Sequence, residues 1–112
     1  TPVSIVAAPG VGYALQVITC AVRINYNSIA YATDSSVAIY ASTATNPQFT
    51  KENILNGTTT RMQHLVEGTT SGSSVTNFIE NAALVVSTNG GTNPTAGNST
   101  IDVYLTYRVI SL

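Results

Sequence analysis

The last thirteen residues alternate. "TIDVYLTYRVISL", Thr100 to Leu112, puts Ile101, Val103, Leu105, Tyr107 and Val109 on one side of an extended strand. Asp102, Tyr104, Thr106, Arg108 and Ile110 fall on the other. Successive side chains of a strand point to opposite faces, so a period of two marks a sheet with one buried side. This period recurs along the chain, and helical periodicity is nearly absent. That restricts the fold to the all-β class. Only Asn46 to Leu55, "NPQFTKENIL", reads as a helical turn, with a Pro near its start.

The other segments fit the same scheme. Val3 to Ala8, "VSIVAA", is a first strand, stopped by Pro9-Gly10. Tyr13 to Tyr26, "YALQVITCAVRINY", is a long one. In it Ile18, Cys20, Val22 and Ile24 share one side, whereas Tyr13, Leu15 and Val17 share the other. The apolar side switches midway, which predicts a bulge within Gln16 to Thr19 or cover on both faces. "SSVAIYAS" supplies Val37 and Ile39. "TRMQHLVE", Thr60 to Glu67, sets Met62, His64 and Val66 against Arg61, Gln63 and Leu65. "VTNFIENAALVVST" holds one or two strands, Val75 to Ile79 and Ala82 to Thr88. "GTTSGSS" (Gly68 to Ser74) and "NGGTNPTAGNS" (Asn89 to Ser99) are loops. Seven or eight strands at this spacing predict one domain over residues 1–112, an antiparallel β-sandwich of jelly-roll type. The expected core is Ile18, Val22, Ile24, Val37, Ile39, Leu84, Val86, Val103 and Leu105.

Only 8% of the residues are charged, against about 25% in an ordinary globular chain. Ser, Thr and Asn take their place, and a neutral hydroxyl-rich surface resists association less than a charged one. The four basic residues are scattered and the net charge is −1. No basic stripe meets phosphates, which argues against nucleic acid as a partner. No apolar run is long enough to span a bilayer, so no membrane partner is expected.

Little in the sequence supports catalysis. His64 is the single histidine and Cys20 the single cysteine, and the acids show no metal-ligand spacing. A set of Cys20, His64 and an Asp has no motif behind it. Cys20 reads as a small buried hydrophobe, and His64 as a strand-face or interface residue. We therefore expect no catalytic residues, no cofactor, no metal and no enzyme. Six tyrosines against two phenylalanines and no tryptophan suit interfaces, since tyrosine joins an apolar ring to a polar tip. Sugar stacking is the rival use of those rings.

Two stretches resemble a group of small phage structural proteins. "APGVGYALQVITCAVRINYNSIAYATDSSVAIYAS" is similar to their opening half: a Pro-Gly turn, a long hydrophobic strand, a Tyr, then an "AYAT"-like element. "IENAALVVSTNGGTNPTAGNSTIDVYLTYRVI" is similar to their closing half, with an "NPT-x-G(D/N)ST" loop before a "VY-x-TYR(V/I)" strand. The likeness spans about Ala8 to Ile110. It implies a β-sandwich virion component, assembled as a trimer, with no catalytic residues. Where such loops read "GDST", this chain has Gly97-Asn98-Ser99-Thr100, which removes the Asp that an ion site there would use.

The resulting expectation is a capsid decoration or cement protein located in the virion. Its partners are its own copies, the major capsid protein or other virion proteins. The alternatives are a fibre or spike tip and a secreted carbohydrate-binding module. The expected oligomer interface comprises Asp102, Tyr104, Arg108 and Ile110 on the final strand, with Leu15 and Val17 on the stretch of the long strand taken to face outward. Tyr and Arg are the residue types enriched at interface centres.

Overall fold

A computed structural model of the chain describes residues 2–33, 35–44, 46–67, 78–88 and 94–112. Among these residues there is no helix, and eight strands form two antiparallel sheets packed as a sandwich. They are β1 (Val3–Val6), β2 (Tyr13–Asn25), β3 (Val37–Ala41), β4 (Phe49–Lys51), β5 (Arg61–His64), β6 (Val66–Glu67), β7 (Leu84–Ser87) and β8 (Thr100–Ser111). One sheet has the order β1-β7-β3-β4-β6, the other β5-β2-β8. The molecule measures 45 × 23 × 21 Å, and its long dimension is that of the β2–β8 ribbon, because a strand rises about 3.4 Å per residue.

The alternation in the sequence builds the core. Val22 from β2, Val37 and Ile39 from β3, Phe49 from β4 and Leu84 from β7 meet between the sheets. Val86, Ile101, Val103 and Leu105 pack against them, partly buried. The expected bulge is present: the β2–β8 register shifts between Val17 and Thr19. Val17 stands opposite Tyr107 and Thr19 opposite Thr106, so Ile18 is the extra residue. The bulge lets Leu15 and Val17 before it share the inner face with Cys20 and Val22 after it. This corrects two expectations. Ile18 is 48% exposed and is not core, whereas Leu15 (3%) and Val17 (5%) are core and do not face outward.

Two other segments depart from expectation. Asn46 to Leu55 contains the short strand β4 in place of a helical turn, because Phe49 and Thr50 find strand partners on both sides, in β3 and β6. The Thr60 to Glu67 segment breaks at buried Leu65. Arg61 to His64 join β2 in one sheet, and Val66 and Glu67 join β4 in the other. The Gly68 to Ser74 loop, residues 75–77 of the expected strand and residues 89–93 lie outside the described residues.

Loops are tied by side chains. Asn81 Oδ1 accepts from Gly10 N and Glu80 Oε2 from Gly12 N, which anchors the turn before β2. Gly10 and Gly12 sit at φ +110° and +87°, where a side chain is disfavoured. Asn98 Oδ1 accepts from both Ser28 N and Ile29 N. Tyr31 donates its hydroxyl to Ser99 O at 2.6 Å, and its ring lies so close to Gly97 that a Cβ there would come within 2.3 Å.

Candidate interaction surface

The three-stranded sheet turns its outer face to solvent, and cross-strand register arranges that face in rows. Asp102 stands beside Arg23, and Arg23 beside Met62. Tyr104 stands beside Ala21, and Ala21 beside His64. Arg108 stands beside Gln16, and Ile110 beside Ala14. Tyr104 is 48% exposed; Met62 and His64 are also exposed, whereas Ala21 is buried between its two larger neighbours. Arg108 donates from Nε to Gln16 Oε1 at 2.6 Å, and Asn25 donates from Nδ2 to Asp102 Oδ2 at 2.9 Å. These bonds hold the two charged side chains against the ribbon.

Four of the six expected interface residues thus come together: Asp102, Tyr104 and Arg108 exposed along β8, with Ile110 half-buried at its end. Leu15 and Val17 are on the opposite face, inside the sandwich. His64, expected as a strand-face or interface residue, stands exposed on this outer face, and Met62, which the sequence reading did not assign to a surface, completes it. Their alternation with Arg61 and Gln63 was the available signal. The sequence reading also missed that Tyr107 and Val109, although on the inner side, remain exposed, Val109 by 54%. Their cross-strand neighbours Leu15 and Val17 on β2 are buried, so at that end the cover stops short on the β8 side of the ribbon only.

The hydrogen-bond phase of the ribbon defines its edges. Backbone N–H and C=O of one strand residue point to the same side, and those of the next residue to the other. Leu15 O accepts from Gln48 Nε2 at 2.9 Å and Val17 N donates to Gln48 Oε1 at 2.7 Å. Past the bulge, Cys20 O accepts from Leu65 N at 2.9 Å. These β2 groups point away from β8, so Gln16 and Ala21 point toward it, and their partners Arg108 and Tyr104 point back. By alternation Ile101, Val103, Leu105, Tyr107 and Val109 present their backbone groups at the outer edge of β8. β8 ends its sheet, and no hydrogen bond to this edge occurs among the described residues.

The two sides of the ribbon are therefore finished differently. On the β2 side, the buried amide of Gln48 supplies the donor and acceptor that a neighbouring strand would, just where β5 stops. On the β8 side a strand of 12 residues has no strand partner along its outer edge among the described residues. It has no Pro and no Lys, the usual guards of an edge.

Chemically the surface offers apolar, aromatic and backbone contacts. Cys20 faces the core, and burial pushes its thiol up to about 11. His64 lies on the opposite face, so the two form no nucleophile–base pair. No three ligating side chains cluster among the described residues. An apolar cleft of about 180 Å³ beside Val37, Leu55, Val86, Pro94 and Ile101 has hydroxyls but, among the described residues, no titratable group in its lining. No family model, no curated protein and no solved structure matches the chain.

Proposed function

We infer that this chain is a structural subunit of a bacteriophage virion, a decoration or cement protein that works as an oligomer on the capsid shell. The observation that carries this reading is the long strand β8, unpaired along its outer edge among the described residues, with Tyr104 exposed on its outer face and Tyr107 and Val109 on its inner face. Unpaired strand edges and exposed apolar groups are removed from water by assembly. The low charge of the whole chain leaves little repulsion to oppose packing against copies of itself or against a major capsid protein. The motifs "NPTAGNST" and "VYLTYRVI" support the phage context through their resemblance to small virion proteins. That resemblance points to a trimer. The charge pattern of the β8 edge favours a two-fold contact, and the mass of the assembly separates the two.

The test is to locate the chain in intact particles. Gradient-purified virions from the source of the sequence should contain its peptides in many copies, and antibodies raised against the purified protein should decorate the shell. Labelling confined to fibre ends would move the protein to the host-contact role, and absence from purified particles would end the virion reading.

A further inference from the structure

We propose that β8 pairs, antiparallel and about a two-fold axis centred on Leu105, with β8 of a second copy of this chain, joining two three-stranded sheets into one. This rests on reading the chain as a self-associating subunit and specifies the contact.

Three independent features select that occupant and that register. The first is charge. β8 carries one acid and one base, Asp102 and Arg108, both exposed on its outer face. They lie three residues either side of Leu105. An antiparallel pairing centred there sets Asp102 of each copy opposite Arg108 of the other. Gln16 engages only Nε of Arg108, which leaves its terminal guanidinium nitrogens for the partner carboxylate.

The second is hydrogen-bond phase. The residues whose backbone groups reach the open edge are the odd-numbered ones. In this register odd faces odd: Leu105 meets Leu105, Val103 meets Tyr107, and Ile101 meets Val109. Each such pair exchanges two N–H···O bonds, about ten in all. A register displaced by one residue would place edge-directed groups against inward-directed ones and lose the ladder.

The third is burial. Tyr107 and Val109 are exposed on the inner side although Leu15 and Val17 opposite them on β2 are buried, so the cover stops short of the β8 edge. In the paired form Tyr107 and Val109 lie beside Val103 and Ile101 of the second copy, at the covered part of its ribbon. Each copy thereby covers the overhang of the other, and cross-strand aromatic and β-branched neighbours are the stabilising pairs of sheets. The other edge strands are short, four residues in β1, two in β6 and four in β5, and Gln48 closes the rest of β2.

Mixed variants of the full chain test the register. Across the seam Tyr104 stands opposite Thr106 with Cα atoms about 4.5 Å apart, within disulfide reach. Two copies of either residue are about 8 Å apart, beyond that reach. Mild oxidation of mixed Tyr104→Cys and Thr106→Cys chains should give a covalent dimer, and either variant alone should not. Cys20 is buried and stays out of the reaction. Arg108→Asp alone sets like charges against Asp102 of the second copy, and Asp102→Arg alone sets them against Arg108. Each should weaken self-association about tenfold. Mixed together they restore both opposite-charge contacts, and association should return to within about threefold of the wild type. Circular dichroism verifies that each variant is folded.

Sedimentation of the wild type should give twice the 11.7 kDa chain mass. A monomer at high micromolar concentration, a trimer, or cross-linking that is equal in mixed and unmixed samples would overturn the seam. So would a monomer whose β8 takes up a strand of the capsid protein instead. Any of these in a protein that is nonetheless found in purified particles leaves the virion reading intact. A dimer absent from particles does the reverse.

Discussion

Gln48 and Cys20 show how single buried residues set the limits of the β2 strand. Gln48 is almost fully buried; its Nε2 donates to Leu15 O and its Oε1 accepts from Val17 N. Gln48→Leu would fill a similar volume while leaving both backbone groups unsatisfied, at a cost of about 2–5 kcal/mol, read as a lowered urea midpoint at unchanged slope. Cys20 lies inside the same sheet with its thiol pushed up to about 11 from an ordinary value of 9.0 by burial away from water. The neutral thiol is the form the fold favours. Its contribution is complete below pH 9 and is lost as the pH rises toward 11, where the unfolded chain has already released its proton. Relative to Cys20→Ala, the wild type should lose up to about 2–3 kcal/mol between pH 8 and pH 11, measured by urea denaturation at each pH. Burial of Cys20 was legible from its place in an apolar strand pattern. The role of Gln48 was not, because a lone Gln beside a Pro carries no sign that it will stand in for a missing strand. That depends on where β5 ends, a fact of tertiary structure.

At the scale of elements, β2 shows what a periodic pattern conveys and where it stops. The switch of apolar side was visible in "YALQVITCAVRINY", and so was the need for a bulge near Gln16 to Thr19. That both halves turn their apolar side inward was not visible, because one strand's alternation defines two faces without naming the covered one. Reading Ile18 with Cys20, Val22 and Ile24 placed it in the core; in the fold it is the extra residue of the bulge. A direct comparison follows from the exposures. Ile18→Ser should change monomer stability by no more than about 0.5 kcal/mol, whereas Leu15→Ala should cost about 2–5 kcal/mol, both measured by denaturant unfolding below the association range. The Asn98 loop supplies a second lesson. The "G(D/N)ST" pattern is explained by its Oδ1 accepting two backbone N–H groups, a task an aspartate oxygen performs equally well. The position therefore reads as a loop clamp and not as the remnant of an ion site. Asn46 to Leu55 misled for the opposite reason, since β4 exists only because two other strands flank it.

For the whole molecule the decisive feature is the contrast, among the described residues, between one covered and one open side of the β2–β8 ribbon. Alternation in "TIDVYLTYRVISL" made the strand legible; its place at the edge of a sheet was not, because strand order is set by contacts distant in sequence. That position also decides between two ways of covering β8. If copies meet on the outer face, as the expected interface had it, Tyr104 and Arg108 dominate the contact. If they meet edge to edge, Val109 lies at the seam while Tyr104 only flanks it. Val109 is more than half exposed in the single chain, so Val109→Lys should leave the fold intact. In the paired form the same change places an ammonium between apolar neighbours on the inner side, the inward-pointing charge by which natural edges prevent pairing. Assembly stabilises by mass action, which makes the melting temperature of an associating protein depend on concentration. The wild type should therefore melt several degrees higher at 500 μM than at 5 μM, an interval of about 100-fold that adds about 2.7 kcal/mol to a bound state. Val109→Lys should melt at one temperature throughout that range. Tyr104→Ala should keep most of the concentration dependence, and its loss in Tyr104→Ala but not in Val109→Lys would assign the contact to the outer face and remove the edge from consideration.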